Sequence, residues 1–171
     1  MSVQTMSVQR LKDWAFAVLA VSACAFALTG CGSASDAVTF KAPASYASAA
    51  QIGPFMQVWR GPQHSSLALM AFPGKIDLDK AMTSSNVKDA QVLKQSTIQI
   101  CGNQPAYYVS MIGNGEAFGT SSPGVTNEKR QVDLLVTDVG GKTYMAMYVR
   151  LVGTSADPAA EDAIRNVCSK P

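Results

Sequence analysis

The residues of this chain that could carry out hydrolysis are few and scattered. His64 is the single histidine, and Ser65 and Ser66 follow it directly. A histidine base and a serine nucleophile cleave acyl bonds when a third group orients the histidine, but residues adjacent in sequence rarely adopt that geometry. We therefore expect no catalytic residues, and the alternative is a hydrolase-like enzyme that uses His64 or carboxylates. The carboxylates available for that role are Glu116, Asp133 and Asp138.

Two further carboxylates alternate in the way that calcium ligands do. Asp77 and Asp79 are separated by one residue, but the glycine, the other acidic ligands and the final glutamate of a calcium-binding loop do not follow them. A side-chain oxygen at either position can instead accept hydrogen bonds from the free amides at the start of a helix. We therefore expect no metal site, and a short helix that begins at Asp77 or Asp79.

Residues 1–30 have the order of features that is typical of a secretory signal peptide. The basic residues Arg10 and Lys12 precede an apolar segment from Trp14 to Ala27, and small residues follow it. The apolar segment is shorter than the roughly 20 residues that a membrane-spanning helix needs. We expect residues 1–30 to be removed from the mature protein.

The end of this segment, Leu28-Thr29-Gly30-Cys31, resembles the lipobox of bacterial lipoproteins. The resemblance implies cleavage between Gly30 and Cys31, and a diacylglycerol and an N-acyl chain on Cys31 with no other cofactor. It also implies a location in the bacterial cell envelope, where lipid holds the chain to the membrane. Gly32 and Ser33, rather than an aspartate, follow Cys31, which favours the outer membrane facing the periplasm.

Two cysteines remain once Cys24 leaves with the signal peptide and Cys31 carries lipid. They are Cys101 and Cys168. In an oxidising compartment an even number of cysteines indicates a disulfide, and the alternative is a pair of separate buried thiols. The wide spacing, and the lack of a histidine beside either cysteine, do not favour a zinc site or a redox pair.

The charge of the chain does not indicate a polyanionic partner. The formal net charge is +2, and the basic residues are dispersed. A nucleic-acid-binding protein normally shows a clustered basic face. We therefore expect no nucleic-acid partner.

The composition divides the rest of the chain into two parts. Residues 31–51 are rich in alanine and serine and poor in bulky apolar residues, which predicts a flexible tether. Residues 52–171 are long enough for a single domain with one core.

Alternating apolar residues and intervening turn residues predict the strands of this domain. The predicted strands are 56–60, 65–72, 90–101, 105–112, 130–138 and 142–152. Gly140 and Gly141 predict a tight turn between the last two strands. Asp157 and Pro158 predict the start of a C-terminal helix, whose apolar stripe comprises Ala160, Ile164, Val167 and Cys168.

The tyrosines of these strands allow two interpretations. We expect Tyr107, Tyr108, Tyr144 and Tyr148 to pack in the core with their hydroxyls at its edge. The alternative is that one tyrosine from each strand lines a ligand groove.

These elements predict an α+β fold. We expect an antiparallel sheet of five or six strands, a short helix after the second strand that reaches about Ser85, and a C-terminal helix packed on one face. This element order resembles the Mog1/PsbP-type domains, a group that includes bacterial envelope lipoproteins. The resemblance implies an assembly or accessory role and assigns no functional residue.

The segment from Gly113 to Asn127 predicts a long loop between two strands. Loops of this length are either functional or tolerated insertions. Our candidate contact residues in it are Gly113, Gly115, Phe118, Gly119 and Gly124. The sequence thus predicts a non-enzymatic binding or accessory lipoprotein, which holds an envelope protein or a small ligand on the open sheet face and this loop. The alternatives are an envelope enzyme and a purely structural lipoprotein.

Overall fold

The computed structural model describes residues 34–77, 90–114 and 128–171 of the chain. Within these ranges there is a 3-10 helix, Pro62–His64, and an α-helix, α1, Pro158–Arg165. The strands are β1 (Val38–Thr39), β2 (Ala47–Ile52), β3 (Met56–Arg60), β4 (Ser66–Pro73), β5 (Gln91–Ile100), β6 (Gln104–Asn114), β7 (Lys129–Val139), β8 (Lys142–Leu151) and β9 (Cys168–Ser169). Among the described residues, no helix combines the length and the apolar character needed to span a bilayer.

Most of the strands form one antiparallel sheet. Its order is β2-β3-β4-β8-β7-β6-β5, and β1 pairs with β9 in a separate two-stranded sheet. The strands that alternation predicts are confirmed, with small shifts of their ends. The predicted tight turn is also confirmed, because Gly140 and Gly141 join β7 to β8 with φ of 58° and 78°, which glycine adopts without strain.

The predicted α+β class is wrong, since the described residues are mostly β. The large sheet has seven strands, a second sheet has two, and α1 is short. The strands that we did not predict are β1, β2 and β9. Alanine and serine in β2 give no apolar alternation, and two-residue strands leave no pattern at all. The helix predicted from Asp77 or Asp79 to Ser85 lies, from residue 78 onward, outside the described residues.

The predicted flexible tether is wrong for residues 34–51, which belong to the folded body. Ala34 is 1% exposed and Val38 is 0% exposed, while β2 pairs with β3 along its length. The Tyr46 hydroxyl lies 3.0 Å from the Ser65 Oγ atom, and the Tyr46 ring packs against Gly61 so closely that a Cβ atom at Gly61 would overlap it. A few buried residues are therefore enough to fix a segment whose composition is typical of a linker.

The C-terminal helix begins where it was predicted and ends earlier. The Asp157 carboxylate accepts a hydrogen bond of 3.0 Å from the Ala159 amide, and Pro158 occupies the first turn. The helix ends at Arg165, so the predicted continuation of its stripe through Val167 and Cys168 is wrong. Cys168 lies in β9 instead. The strand pairs with β1, and the Gln104 side chain donates a hydrogen bond to the Val167 carbonyl and accepts one from the Ser169 amide, which holds residues 167–169 extended.

The large sheet has two differently packed faces. We call the side covered by α1 the helix face. Its buried residues include Leu67, Leu69, Tyr108, Leu135, Tyr144, Ala146 and Tyr148, which form one cluster with Ala160, Ala163 and Ile164 of α1. On the other side, which we call the opposite face, a smaller buried cluster comprises Val109, Met111, Val132 and Val149.

The expected disulfide between Cys101 and Cys168 is present. The two Cα atoms are 5.6 Å apart, and the bond closes a sequence separation of 67 residues. It joins the β5–β6 turn to β9, not to the helix.

Candidate functional site

A row of apolar side chains crosses the opposite face of the sheet. Met56 lies directly opposite Met70, and Met70 lies directly opposite Met145. The row continues from Met145 to Val136 and from Val136 to Tyr107. Residues directly opposite one another in antiparallel strands point to the same face. The row therefore spans β3, β4, β8, β7 and β6 without a charged residue.

A second apolar row runs beside the first on the same face. It passes through Val58, Ala68, Met147, Leu134 and Val109. We call the partly exposed residues that β3, β4 and β8 contribute to the two rows the methionine strip: Met56, Val58, Met70, Met145 and Met147.

The strip is suited to contact with an apolar partner. Its five members are of intermediate exposure, whereas Val109 of the second row is fully buried. Methionine is unbranched and polarisable, so a methionine surface can adjust to partners of different shape. This is a property that a rigid core does not require.

The first row leads into a small cleft. The cleft has a volume of about 220 Å³, and Tyr107 and Val136 of the row line it together with Ile76, Thr97, Pro105 and Asp138. The Ile76 amide donates a hydrogen bond of 3.0 Å to the Thr143 hydroxyl, which holds Ile76 at this position. The cleft therefore lies at the β6 and β7 end of the apolar row.

The helix face carries a buried polar pair. The Tyr108 hydroxyl donates a hydrogen bond of 2.8 Å to an Asp133 carboxylate oxygen, and Asp133 is 2% exposed. The Arg165 guanidinium lies 5.5 Å from the centre of the Tyr108 ring, and the Lys94 ammonium lies 5.9 Å from it. Burial, and then the Asp133 contact, raise the pKa of Tyr108 to about 12. Tyr108 is therefore a neutral donor at physiological pH.

The groups that a hydrolase needs do not converge in the described residues. His64 is exposed in the 3-10 helix, and its carbonyl accepts a hydrogen bond of 3.0 Å from Arg130. Asp133 and Asp138 lie five positions apart on β7, an odd spacing that places them on opposite faces. Asp138 accepts a hydrogen bond from the Thr143 hydroxyl. Glu116 lies outside the described residues.

Several predicted site residues lie outside the part of the chain that the structure describes. These are Gly30, Cys31, Asp79, Gly115, Phe118, Gly119 and Gly124. Gly113, the first residue of the predicted contact loop, is the exception, since it lies in β6 opposite Arg130. No group of three possible metal ligands occurs in ranges 34–77, 90–114 and 128–171.

The four tyrosines divide between the two faces. Tyr108, Tyr144 and Tyr148 are buried on the helix face, which confirms the expectation of core packing for these three. Tyr107 lies on the opposite face and lines the cleft. Tyr108 of β6 therefore shares a face with Tyr144 and Tyr148 of β8, where all three are buried, and Tyr107 is the one member of the four that lines the cleft.

Two of the five members of the methionine strip were predictable from the sequence. Alternation in β8 places Met145 and Met147 on one face, as predicted. That Met56 and Met70 continue the row depends on the neighbours of β8, and β4 pairs with β8 across a long stretch of intervening chain. No local pattern carries that information.

Comparisons with known proteins find similarity in fold. No protein-family model matches the chain, and no curated protein matches it. A crystal structure from Bacteroides thetaiotaomicron has a TM-score of 0.53 and 13% identity, over 83% of this chain and 48% of that one. This chain therefore spans about half the length of the Bacteroides protein.

Two similar structures come from the groups whose element order the sequence resembles. The Ran-binding protein Mog1p of Saccharomyces cerevisiae has a TM-score of 0.48 and 9% identity, over 77% of this chain and 80% of that one. Cyanobacterial PsbP from Synechocystis has a TM-score of 0.45 and 15% identity, over 76% of this chain and 86% of that one. At these identities the likeness is one of fold and assigns a function to no residue.

Proposed function

We propose that this chain is a bacterial envelope lipoprotein, held to the membrane by lipid on Cys31, and that it is a non-enzymatic module which binds an apolar segment of a partner protein along the methionine strip. The anchor is supported by the signal-like residues 1–30 and the sequence Leu28-Thr29-Gly30-Cys31. The binding role is supported by one observation above all. Partly exposed methionines form a continuous apolar row over the adjacent strands β3, β4 and β8.

The dimensions of the row favour a protein segment over a small molecule. From β3 to β8 the strip crosses two strand spacings, about 10 Å in total, and the next member of the row, Val136, is 2% exposed. About two turns of a helix have that length, and an amphipathic helix laid on an apolar surface is a common mode of recognition. The cleft at the end of the row, about 220 Å³, is smaller than the roughly 300 to 1,000 Å³ of typical small-ligand pockets.

Photo-cross-linking from single methionines tests this role. In one variant Met145 is the only methionine of the mature chain, and in the control variant it is Met111, which is 6% exposed on the same face. All other methionines are changed to leucine, which has a similar volume. Each such substitution lowers the free energy of unfolding by less than about 1.5 kcal/mol. With photo-methionine incorporated in the living bacterium, we expect the Met145 variant to form a covalent link to an apolar peptide of a second protein, and the Met111 variant to link only within its own chain.

A charge placed in the strip distinguishes specific binding from chance capture. Met70→Glu should abolish the link from Met145, because an unpaired charge does not enter an apolar contact. The matched substitution Leu93→Glu, at an apolar position that is 47% exposed on β5, should leave the link intact. The proposed function is contradicted if the cross-link from Met145 survives Met70→Glu. It is also contradicted if the Met145 variant without Met70→Glu forms no cross-link to a second protein.

A further inference from the structure

We propose that one end of the large sheet rests on the lipid surface, with Phe55 inserted among the acyl chains. We call this end the turn end, and define it by the β2–β3, β5–β6 and β7–β8 turns, which are residues 53–55, 101–103 and 140–141. The inference rests on the proposed lipid anchor at Cys31 and adds an orientation and a docking surface to it.

The proposed anchor residue, Cys31, is followed after a short connection by a buried residue of the folded body. Ala34 is 1% exposed and belongs to the core of the helix face. Three residue steps separate Cys31 from Ala34, and each spans at most about 3.6 Å. Covalent geometry therefore limits the distance between the Cα atoms of Cys31 and Ala34 to about 11 Å.

The segment that follows Ala34 lies at the turn end. Ala37 packs against the core cluster that contains Tyr144, and Tyr144 is the third residue of β8, just after the β7–β8 turn. Tyr144 lies opposite Ala71, and the Ala71 amide donates a hydrogen bond of 2.8 Å to the Phe55 carbonyl. Two strand spacings, about 10 Å, thus separate Tyr144 from Phe55.

The surface of the turn end carries exposed apolar and charged side chains. Phe55 is 55% exposed and Ile52 is 50% exposed, the two largest fractions among the bulky apolar residues of the described chain. Lys75, Lys142 and Lys170 are exposed at the same end, and so are Asp36, Asp77 and Asp138. Lys75 follows Gly74, which bridges to Lys142, and the Lys170 amide donates to the Ala37 carbonyl. Exposed apolar residues beside charged residues of both signs fit the boundary between acyl chains and polar headgroups.

The opposite end of the sheet supplies a matched control. Val152 directly follows β8 and is 43% exposed. The ten residues of β8 place Val152 about 30 Å from the turn end. An aromatic probe at Val152 therefore has a similar exposure to one at Phe55 and a different predicted distance from the bilayer.

Tryptophan quenching by brominated lipid tests the orientation. Trp59 is the only tryptophan of the chain after residue 30, and Trp59→Phe retains an aromatic ring against Phe40. In this background, Phe55→Trp and Val152→Trp are prepared as the full lipidated protein in vesicles of phosphatidylglycerol and phosphatidylcholine brominated in the acyl chains. We expect about a twofold loss of emission from Phe55→Trp, since the indole lies among the acyl chains, and little loss from Val152→Trp. Ile52→Trp places a second tryptophan probe at the turn end, and its emission should also be quenched.

The intact mass of each protein is measured first, so that two kinds of failure are separated. If Cys31 carries lipid and Phe55→Trp is quenched no more than Val152→Trp, the orientation is wrong and the anchor stands. If Cys31 carries no lipid, the proposed anchor is wrong and the orientation fails with it. Quenching confined to the turn end supports the inference.

Discussion

At the scale of single residues, the buried polar pair on the helix face is a structural feature and not a catalytic one. Asp133 is enclosed, and Tyr108 is its hydrogen-bond donor at 2.8 Å. Because Tyr108 stays neutral, it can keep donating to Asp133 over the physiological range. The pair therefore contributes to stability as long as both members are present.

Removing the Tyr108 hydroxyl should leave Asp133 without this donor. We expect Tyr108→Phe to lower the free energy of unfolding by about 1 to 3 kcal/mol, the cost of an unsatisfied buried polar group. Tyr107→Phe, on the opposite face, is the control and should have a smaller effect. Urea unfolding monitored by circular dichroism measures both, and equal midpoints for Tyr108→Phe and the unaltered protein would contradict this role.

The buried tyrosines also predict how stability depends on alkaline pH. Burial raises the pKa of Tyr46, Tyr108 and Tyr144, for Tyr108 from 10.0 to about 12. Above pH 10 the unfolded chain loses these phenolic protons while the folded chain retains them, so stability falls with rising pH. We expect a constant melting temperature from pH 8 to near pH 10 and a steady decrease toward pH 12. Absorbance at 295 nm that shows every tyrosine ionising near pH 10 in the folded protein would refute the assignment.

At the scale of elements, the sequence predicted what local pattern determines. β3 to β8 have alternating apolar residues and clear turn residues, so each was predicted with nearly correct ends. β1, β2 and β9 were missed because alanine and serine do not reveal a buried side, and because β1 and β9 form only through pairing between the two ends of the body. The methionine strip required the strand order, which is not a local property. The shared face of Met145 and Met147 was predictable, and the addition of Met56, Val58 and Met70 to it was not.

Residues 34–40 belong to the folded body and should contribute to its stability. A chain that begins at Lys41 lacks β1 and the buried residues Ala34 and Val38, so it should unfold at a lower urea concentration. The loss should be about 2 kcal/mol or more, since a fully buried valine alone contributes about 1.5 kcal/mol or more. A truncated chain as stable as the complete folded body would restore the tether interpretation.

The disulfide is the element that joins the last strand to the β5–β6 turn. Replacing Cys101 and Cys168 together with serine removes a closure over 67 residues. The chain-entropy description gives a loss of about 4 kcal/mol for a loop of this size. We expect a lower urea midpoint for the double variant, and the same midpoint for the unaltered protein in reductant. A midpoint that neither change moves would show that the bond does not stabilise the fold.

At the scale of the whole molecule, the two proposed surfaces adjoin on one sheet. The turn end, with Phe55, is assigned to the lipid surface. The methionine strip lies on the opposite face and is assigned to a partner protein. Met56 of the strip directly follows Phe55, so the strip begins beside the proposed lipid surface, which favours a partner that itself lies at the membrane.

Both assignments depend on lipid at Cys31, and the intact mass of the protein extracted from bacterial membranes tests this most directly. The mass should correspond to a chain that starts at Cys31 and carries one diacylglycerol and one N-acyl chain, and mild alkaline hydrolysis should release the two ester-linked acyl chains. An unmodified chain, found in the soluble fraction with its signal segment removed at any other position, would contradict the account.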